Sequence, residues 1–286
     1  MDFNNLINNL GSVGNEIIKH KIPYEEILEI YISIGQKAKI YTSFSAIEIG
    51  TERITEKELS DIFAALCEYS VHTYKKEICE GYITVSGGIR IGICGTAIYD
   101  EDKIVGIKHI SALNIRIPHE IKGIADKISN LYDNRGILLI GPPCSGKTTM
   151  LRDISRKLSL KHRVVIIDER SEISGTFHGI PGFEIGNSAV MDGFIKSDGM
   201  IRAIRAMSPE IIICDEFGET KDIESAMFSM KSGAQIIASI HAADKNDFIG
   251  KVFSDKIIKS GIFEHFVFLN KKFEVYKIMS KEELIA

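Results

Sequence analysis

Between Gly141 and Thr149 the sequence is GPPCSGKTT, which fits the phosphate-binding loop pattern G-x-x-x-x-G-K-[ST]. The apolar run directly before it, GILLI at residues 136–140, predicts a buried strand. The segment directly after it predicts a helix, because its apolar residues recur on one side: Met150, Leu151, Ile154 and Leu158. Strand, glycine loop and helix in this order are the setting that the pattern requires, so we expect the chain to bind a nucleotide.

The expected chemistry of this loop depends on its backbone and on two side chains. Gly141 and Gly146 are expected to adopt backbone angles that a Cβ atom would forbid, so that N–H groups and the helix N-terminus face phosphate oxygens. Lys147 is expected to contact the β- and γ-phosphates, and the Thr148 hydroxyl to ligate Mg²⁺. We therefore predict that ATP and Mg²⁺ bind along the whole loop: Gly141, Pro142, Pro143, Cys144, Ser145, Gly146, Lys147, Thr148 and Thr149.

An apolar strand that ends in acidic residues supplies the second part of such a site. Residues 211–214 (IIIC) predict a buried strand, and Asp215 and Glu216 follow it directly. Asp215 would lie close to the Mg²⁺ ion, and Glu216 would polarise the water that attacks the γ-phosphate. Without the phosphate loop earlier in the chain, the same pattern would equally fit a solvated acidic turn.

Two further predicted strands end in residues that could join this site. Residues 164–167 (VVII) lead into an acidic cluster, DERSE at residues 168–172, which could share the metal ion and the water. The same cluster would also fit an ordinary charged loop. Residues 236–240 (IIASI) end in His241, a candidate sensor of the γ-phosphate for which a structural role is equally open.

Composition narrows the class of protein. The chain has 286 residues, of which 44% are hydrophobic and 26% charged, as in ordinary soluble globular proteins. The formal net charge of −4, without a long basic run, argues against nucleic acid as the main partner. No apolar run approaches the roughly 20 residues that span a bilayer, and the N-terminus lacks a basic start. We therefore expect a cytoplasmic chain that associates with membranes only through a partner.

The chain changes character along its length. From about Gly136 onward, nearly uniform apolar strands alternate with helices, which predicts a covered, mostly parallel sheet with helices on both faces. We expect this α/β domain to occupy residues 126–286, preceded by a smaller α+β domain over residues 1–125.

Local patterns predict the elements of the remaining segments. They are a half-buried strand at residues 28–34, a helix opened by a capping box at Thr55 and Glu58 and continuing to about residue 80, strands over residues 82–116, a helix from Pro118 to about residue 131, and a final strand at residues 266–277.

These features occur together in the secretion ATPases of type II and type IV systems, a RecA-like branch of the P-loop ATPases, which this chain resembles. That family has a phosphate loop, an acidic box after the next strand, a helix with paired arginines before an apolar strand that ends in glutamate, and a histidine box. The matching residues here are 141–149, 168–172, Arg202 and Arg205 with Asp215 and Glu216, and 239–241.

A closer resemblance is to the stage III sporulation protein AA family. It rests on GIRIGICG at residues 88–95, LNIRI at 113–117, DERSEI at 168–173, MSP at 207–209 and DEFG at 215–218. The resemblance covers most of the chain from about Gly81 to His241. Where the family has arginines in an E-I-R-L-R pattern near its first strand, this chain has EIYIS at residues 29–33, without those charges.

The resemblance implies a RecA-like P-loop ATPase that hydrolyses ATP to ADP and phosphate in the mother cell during endospore formation. It implies self-association into a hexameric ring that docks on membrane-embedded channel proteins, with the chain itself cytoplasmic and peripheral to that membrane complex. It further implies that Glu169 is the alternative to Glu216 for polarising water, and that His241 reports the γ-phosphate to the neighbouring subunit. Arg90 and Arg116 become candidates for contacting the phosphates bound by a neighbour.

Two other classes of function stay open from the sequence. The same ATPase core can drive a nucleic-acid motor, which the weak basicity and the lack of Trp argue against. A nucleotide-gated scaffold would bind ATP and assemble with little turnover, which the complete set of acidic residues argues against.

Overall fold

The computed structural model describes residues 3–271 and 274–285. The chain divides into two compact units, one that ends at His119 and one that begins at Glu120. The domain boundary expected from the sequence lies a few residues further on, between residues 125 and 126. Each unit contains a sheet of its own.

The first unit combines short helices with an antiparallel sheet. Its elements are α1 (Phe3–Asn9), α2 (Gly11–His20), β1 (Ile27–Ser33), β2 (Ala38–Thr42), β3 (Ala46–Ile49), α3 (Glu56–Leu66), α4 (Lys75–Cys79), β4 (Tyr82–Val85), β5 (Ile89–Asp100) and β6 (Lys103–Arg116). Among the residues described, its strands form a six-stranded sheet in the order β3-β2-β1-β6-β5-β4, with every neighbouring pair antiparallel.

Strand β1 departs from the half-buried strand predicted over residues 28–34 at two residues, Leu28 and Ile34. Ile34 is 36% exposed and lies just beyond the last strand residue, Ser33. Ile30 and Ile32 are fully buried, as the alternation predicts, but Leu28 is 38% exposed. The pairing of β1 with β2 shifts between Ile27 and Glu29. This bulge turns Leu28 outward and buries Ile27 in its place.

The prediction that the helix opened by the capping box continues to about residue 80 is wrong, because the helix ends at Leu66. Helix α3 begins where the pattern predicts, with the Thr55 hydroxyl accepting a hydrogen bond of 3.2 Å from the N–H of Glu58. Glu68 and Tyr69 then both adopt left-handed backbone angles, with φ of 51° and 58°. Two consecutive residues in that conformation end a right-handed helix, so the chain continues as the separate short helix α4.

The second unit is an α/β layer structure. Its elements are α5 (Asp126–Leu131), β7 (Gly136–Gly141), α6 (Lys147–Leu158), β8 (Val164–Asp168), β9 (Ala189–Asp192), α7 (Lys196–Met207), β10 (Ile211–Cys214), α8 (Thr220–Lys231), β11 (Gln235–His241), α9 (Lys245–Ile249), α10 (Ser254–Ser260), β12 (Phe263–Leu269), β13 (Val275–Ser280) and α11 (Lys281–Ile285). Within the described ranges, its sheet has seven strands in the order β13-β12-β7-β11-β10-β8-β9. Neighbours are parallel except for β12 with the edge strand β13, which confirms the predicted mostly parallel sheet.

Two predicted boundaries around this unit are wrong. The helix expected from Pro118 begins only at Asp126, because Gly123 adopts φ of 84°, which a right-handed helix cannot contain. The single strand expected over residues 266–277 is the antiparallel pair β12 and β13. Lys272 and Phe273, which that prediction included, lie outside the described residues.

The central strands of the second sheet are buried on both faces, and alternate residues of a strand point into opposite cores. On β7, Ile137 and Leu139 belong to the core that includes α6, whereas Leu138 and Ile140 belong to the core that includes α7 and α8. Burial on both sides explains why these strands are uniformly apolar instead of alternating.

We expect Leu139→Ala to lower the free energy of unfolding by about 2 to 5 kcal/mol, because it removes contacts and leaves a cavity beneath α6. Leu160 has the same side chain in the same unit but is 68% exposed, so Leu160→Ala should cost about 0.5 kcal/mol or less. Urea unfolding of the full chain, followed by circular dichroism, measures both. Equal losses in the two variants would contradict a closed core around Leu139.

Candidate phosphate-loop site

The segments predicted to form the site follow neighbouring strands of the second sheet. The phosphate loop follows β7, His241 ends β11, Asp215 follows β10, and Asp168 ends β8. These strands are adjacent and parallel in that order, so their carboxyl ends meet at one edge of the sheet. The register places His241 directly opposite Gly141.

Two glycines shape the phosphate loop for different reasons. Gly146 has φ of 82° and caps the N-terminus of α6, in the left-handed conformation that glycine tolerates best. The expectation of unusual backbone angles is wrong for Gly141, which is required for space instead. A Cβ atom at Gly141 would lie 2.4 Å from Oγ of Ser145. Cys144 is also left-handed, with φ of 60°, so the loop contains strain at a residue that has a side chain.

The amino group of Lys147 is buried within the loop that precedes it. Its Nζ donates to the carbonyl oxygens of Gly141 and Pro142, each at 2.9 Å, and to Nδ1 of His241 at 3.0 Å. Burial lowers the pKa of Lys147 below its ordinary value, and the charge of Asp215 opposes this change most strongly. Because an ammonium group can only donate, Nδ1 of His241 accepts here, which places the proton of the neutral imidazole on Nε2.

The carboxylate of Asp215 accepts hydrogen bonds from three neighbours. Its Oδ2 accepts from the hydroxyl of Thr148, and its Oδ1 accepts from the hydroxyl of Ser239 and from the N–H of Glu216 at 2.9 Å. Ser239 is fully buried on β11, between the two halves of the site. Ser239 belongs to the segment 239–241 that matches the histidine box, but its hydrogen bond to Asp215 was not predicted, although a hydroxyl inside the apolar run IIASI is a signal for such a bond.

Glu216 is placed by its backbone and by two side chains. Its φ of 50° is left-handed, which costs roughly 1 to 2 kcal/mol for a residue with a Cβ atom. Its Oε2 accepts from Nη1 of Arg170 at 3.0 Å, and its Oε1 lies 3.5 Å from Nε2 of His241. Arg170, in the middle of the DERSE string, is a second residue whose contact in the site was not predicted from the sequence.

Asp168 serves the loop that follows it. Its Oδ1 accepts from the N–H of Glu172 at 2.9 Å and of Ile173 at 3.3 Å, and its Oδ2 accepts from the N–H and the hydroxyl of Ser174 at 2.8 and 2.6 Å. The side chain is 3% exposed. Asp168 therefore closes a turn in the interior and is not part of the phosphate-loop cavity wall.

The two glutamates of the DERSE string lie in different places. Oε2 of Glu169 accepts from Nζ of Lys196 at 2.7 Å. Burial by itself lowers the pKa of Lys196, but the hydrogen bond and charge of Glu169 outweigh it, so that the pKa is raised. Glu172, which was not singled out from the sequence, lines the cavity beside the phosphate loop. The acidic cluster therefore contributes Glu172 to this cavity, while Glu169 lines an adjoining one.

One cavity joins most of the predicted site residues. It is lined by Pro143, Cys144, Ser145, Gly146, Lys147, Thr148, Thr149, Glu172, Asp215, Glu216 and His241. The adjoining cavity shares Glu172, Asp215 and Glu216 with it and adds Ile167, Asp168, Glu169, Arg170 and Lys196. The arginines of α7, Arg202 and Arg205, are exposed and line neither cavity.

The predicted arginines of the first unit lie together in one row of its sheet. Arg90 on β5 is opposite Arg116 on β6, and Arg116 is opposite Glu29 on β1. The guanidinium of Arg90 stacks on the ring of Tyr82, 3.8 Å from its centroid, and Nε of Arg116 is 3.4 Å from Glu29. Arg90 and Arg116 repel as like charges directly opposite in a sheet, and the carboxylate of Glu29 offsets part of this repulsion at Arg116.

The oxygen atoms at the cavity wall fit a magnesium ion. The hydroxyl of Thr148 and the carboxylate of Asp215 are in contact and both belong to the cavity lining. Mg²⁺ prefers oxygen ligands and is commonly held by one or two protein oxygens together with waters and phosphate oxygens. The donor set therefore suits Mg²⁺ together with a bound phosphate chain.

The strand order and the layers of helices define an α/β protein whose fold resembles that of secretion and pilus ATPases. The pilus retraction motor PilT, solved with bound ADP, aligns with a TM-score of 0.60 and 16% identity over 88% of this chain and 76% of that one. The ATPase DotB of Legionella pneumophila aligns with a TM-score of 0.55 and 16% identity over 85% and 72%. At this identity the likeness concerns the fold.

The sequence comparisons identify the family. The family model described as "Sporulation stage III, protein AA" matches residues 3–281, and the chain belongs to this family. Stage III sporulation protein AA of Bacillus subtilis (strain 168) is 31% identical over 281 residues, which cover 93% of this chain and 91% of the relative. The resemblance stated from the sequence motifs is thereby confirmed.

We expect Asp168→Ala to lower the free energy of unfolding by about 3 kcal/mol, because it leaves the buried N–H groups of Glu172 to Ser174 without their charged acceptor. Asp255 is the matched control, since its side chain is 77% exposed and pairs with the similarly exposed Lys259 in helix α10. Asp255→Ala should cost less than about 1 kcal/mol. Chemical unfolding measures both, and an Asp168→Ala variant as stable as the control would exclude the structural role.

Proposed function

We propose that the protein is a Mg²⁺-dependent ATPase that hydrolyses ATP to ADP and phosphate. The observation that carries this proposal is the single cavity in which Lys147, Thr148, Asp215, Glu216 and His241 meet beside the phosphate loop. Catalysis of phosphoryl transfer to water consists mostly of positioning and charge stabilisation, and these are the groups that such a reaction uses.

Each side chain has a role that its present contacts support. Lys147 already points its Nζ at carbonyl oxygens of the loop, so phosphate oxygens of ATP would take over these donors. Thr148 and Asp215 would hold Mg²⁺, which would neutralise charge on the phosphates when bound. The backbone of the loop, residues 141–149, would bind the phosphate chain through its N–H groups and the N-terminus of α6.

Glu216 is the proposed residue that polarises the attacking water. It lies in the cavity within 3.5 Å of His241, and its strained backbone is typical of a residue whose position serves function. Glu169 is the weaker candidate, because it is bound to Lys196 and lies in the adjoining cavity. His241 touches both Lys147 and Glu216, which suits a sensor of the γ-phosphate.

We further propose that the two units are separate domains and that copies of the chain assemble into a ring, taken as a hexamer, that acts as the mother-cell motor of a channel complex in endospore formation. Family membership supports the link to sporulation, and the fold is one that secretion and pilus ATPases use. None of the helices in the described residues is long and apolar enough to cross a bilayer. Membrane-embedded channel proteins would supply that anchorage, with the chain cytoplasmic and peripheral to them.

We expect Lys147→Ala to lose ATP binding, because it removes the buried cation that faces the phosphates. Glu216→Gln should keep ATP affinity within about threefold and lower kcat by roughly 10² to 10⁴, the range for loss of a general base. Phosphate release with Mg²⁺, alongside equilibrium ATP binding, measures both. A wild-type kcat in Glu216→Gln would exclude Glu216 as the general base. Glu169→Gln, assayed in parallel, tests whether Glu169 has that role instead. Binding of ATP without turnover in the wild type would favour the scaffold.

Arg90 and Arg116 are proposed to act on phosphates bound by a neighbouring copy, because two like charges directly opposite in a sheet favour an approaching anion, and Glu29 neutralises only the Arg116 side of the pair. We expect Arg90→Ala and Arg116→Ala to keep ATP binding and to lose hydrolysis, by as much as about 10³ to 10⁵ for an arginine supplied in trans. Mixing each variant with Lys147→Ala subunits should then restore part of the activity. Full turnover in both arginine variants would refute this role.

A further inference from the structure

Arg152 is a buried cation that the proposed roles leave unused. It lies on α6, the helix that begins at the phosphate loop, and is 8% exposed. Its Nε donates to the carbonyl oxygen of Ile173 at 2.8 Å, and its Nη2 donates to the carbonyl oxygen of Glu172 at 3.0 Å. The guanidinium also stacks on Phe183, 3.5 Å from the ring centroid. The planar guanidinium is thus fixed by two hydrogen bonds and by stacking on one aromatic ring.

The segment that Arg152 binds is held from its other side by Asp168. The carboxylate of Asp168 accepts the N–H groups of Glu172, Ile173 and Ser174, while the guanidinium binds the carbonyl oxygens of the first two. The carbonyl oxygen of Ser174 accepts in addition from the N–H of Phe183 at 3.0 Å. The backbone of Glu172 is therefore held at both its N–H and its carbonyl group.

The stability of the fold alone does not explain why a cation is buried at position 152. Burial lowers the pKa of Arg152 to about 10, so the group remains charged at neutral pH in a poorly solvated position. An apolar side chain of similar volume is often neutral or more stable at a buried charged position. A guanidinium adds directed donors instead, and these donors point at the backbone of a residue that lines the phosphate-loop cavity.

We propose that Arg152 is a positioning residue for hydrolysis: it ties the loop of Glu172 to the phosphate-loop helix and so holds the Glu172 carboxylate at the cavity wall. The proposal rests on the ATPase function proposed above. It predicts that Arg152 affects turnover only through Glu172 and leaves the affinity for ATP nearly unchanged. Because α6 and the phosphate loop are continuous, the clamp keeps Glu172 in register with Lys147 and Thr148.

The test compares Arg152→Met, which keeps the volume but not the donors, with Arg156→Met. Arg156 lies one turn further along α6, and its guanidinium is paired with Asp153 of the same helix. We expect Arg152→Met to lower kcat by roughly 10- to 100-fold, the scale of a displacement near 1 Å, with KM for ATP within about threefold. Arg156→Met should keep kcat within about threefold of the wild type.

A double-mutant cycle separates positioning from a general structural role. In a Glu172→Gln background, Arg152→Met should lower kcat by less than about threefold, because the carboxylate that it positions is already gone. Losses that multiply in the double variant would overturn the proposal, as would an unchanged kcat in Arg152→Met. Arg152→Lys, which keeps the charge and loses the planar fork, should show a smaller loss in the same direction and serves if the Met variant does not fold.

Hydrogen exchange makes the clamp testable apart from catalysis. In Arg152→Met, the amides of residues 172–174 should exchange at least about tenfold faster, because the loop opens more readily without its guanidinium donors. The same amides in Arg156→Met should exchange as in the wild type. Unchanged exchange in Arg152→Met would overturn the clamp, whereas faster exchange in a chain that hydrolyses no ATP would support the clamp and reject the ATPase function.

Discussion

Burial of the central strands of the second sheet on both faces is the constraint from which the site follows. The central strands β7, β10 and β8 have no exposed residue, so a polar side chain that must meet a ligand can emerge only where a strand ends. Since the strands are parallel, their carboxyl ends share one edge, and the phosphate loop, Asp215 and His241 come together there from distant parts of the sequence. The apolar strands are therefore the reason that residues some seventy positions apart, such as Thr148 and Asp215, can touch.

The same burial makes a polar group near that edge destabilising unless it is hydrogen-bonded, and the structure supplies specific partners for such groups. Asp168 and Ser239 are each 3% exposed or less, and both have hydrogen-bond partners in the loops of the site. Unpaired, each would cost roughly 1 to 3 kcal/mol or more. The buried guanidinium of Arg152 is likewise satisfied, by two carbonyl acceptors and by the face of the Phe183 ring. The residues that shape the site are thus largely buried, and they hydrogen-bond to the segments whose side chains line the cavity.

Sequence patterns predicted the parts of this fold that depend on period and composition. The run IIIC at residues 211–214 forms the buried strand β10, and the glycine pattern that begins at Gly141 lies between β7 and α6, as the sequence predicts. Failures occurred where a local conformation or a distant neighbour decides. Nothing in the sequence shows that Glu68 and Tyr69 turn left-handed, or that Gly141 is needed for space against Ser145. Glu172 was predicted only as one member of the acidic string DERSE, because its orientation depends on Asp168, which only the fold brings to its backbone.

The position of β11 in the sheet gives the site a property that no single strand end would have. Because β11 lies between β7 and β10, its residues reach both halves: Ser239 holds Asp215, and His241 touches Lys147 on one side and Glu216 on the other. Side chains two residues apart on a strand share a face, so both contacts arise from one rigid element. A strand order with β7 beside β10 would leave the lysine and the glutamate without this common neighbour. The inserted strand therefore links the half of the site that contains Lys147 to the half that contains Asp215 and Glu216, through side chains that the sheet keeps in register.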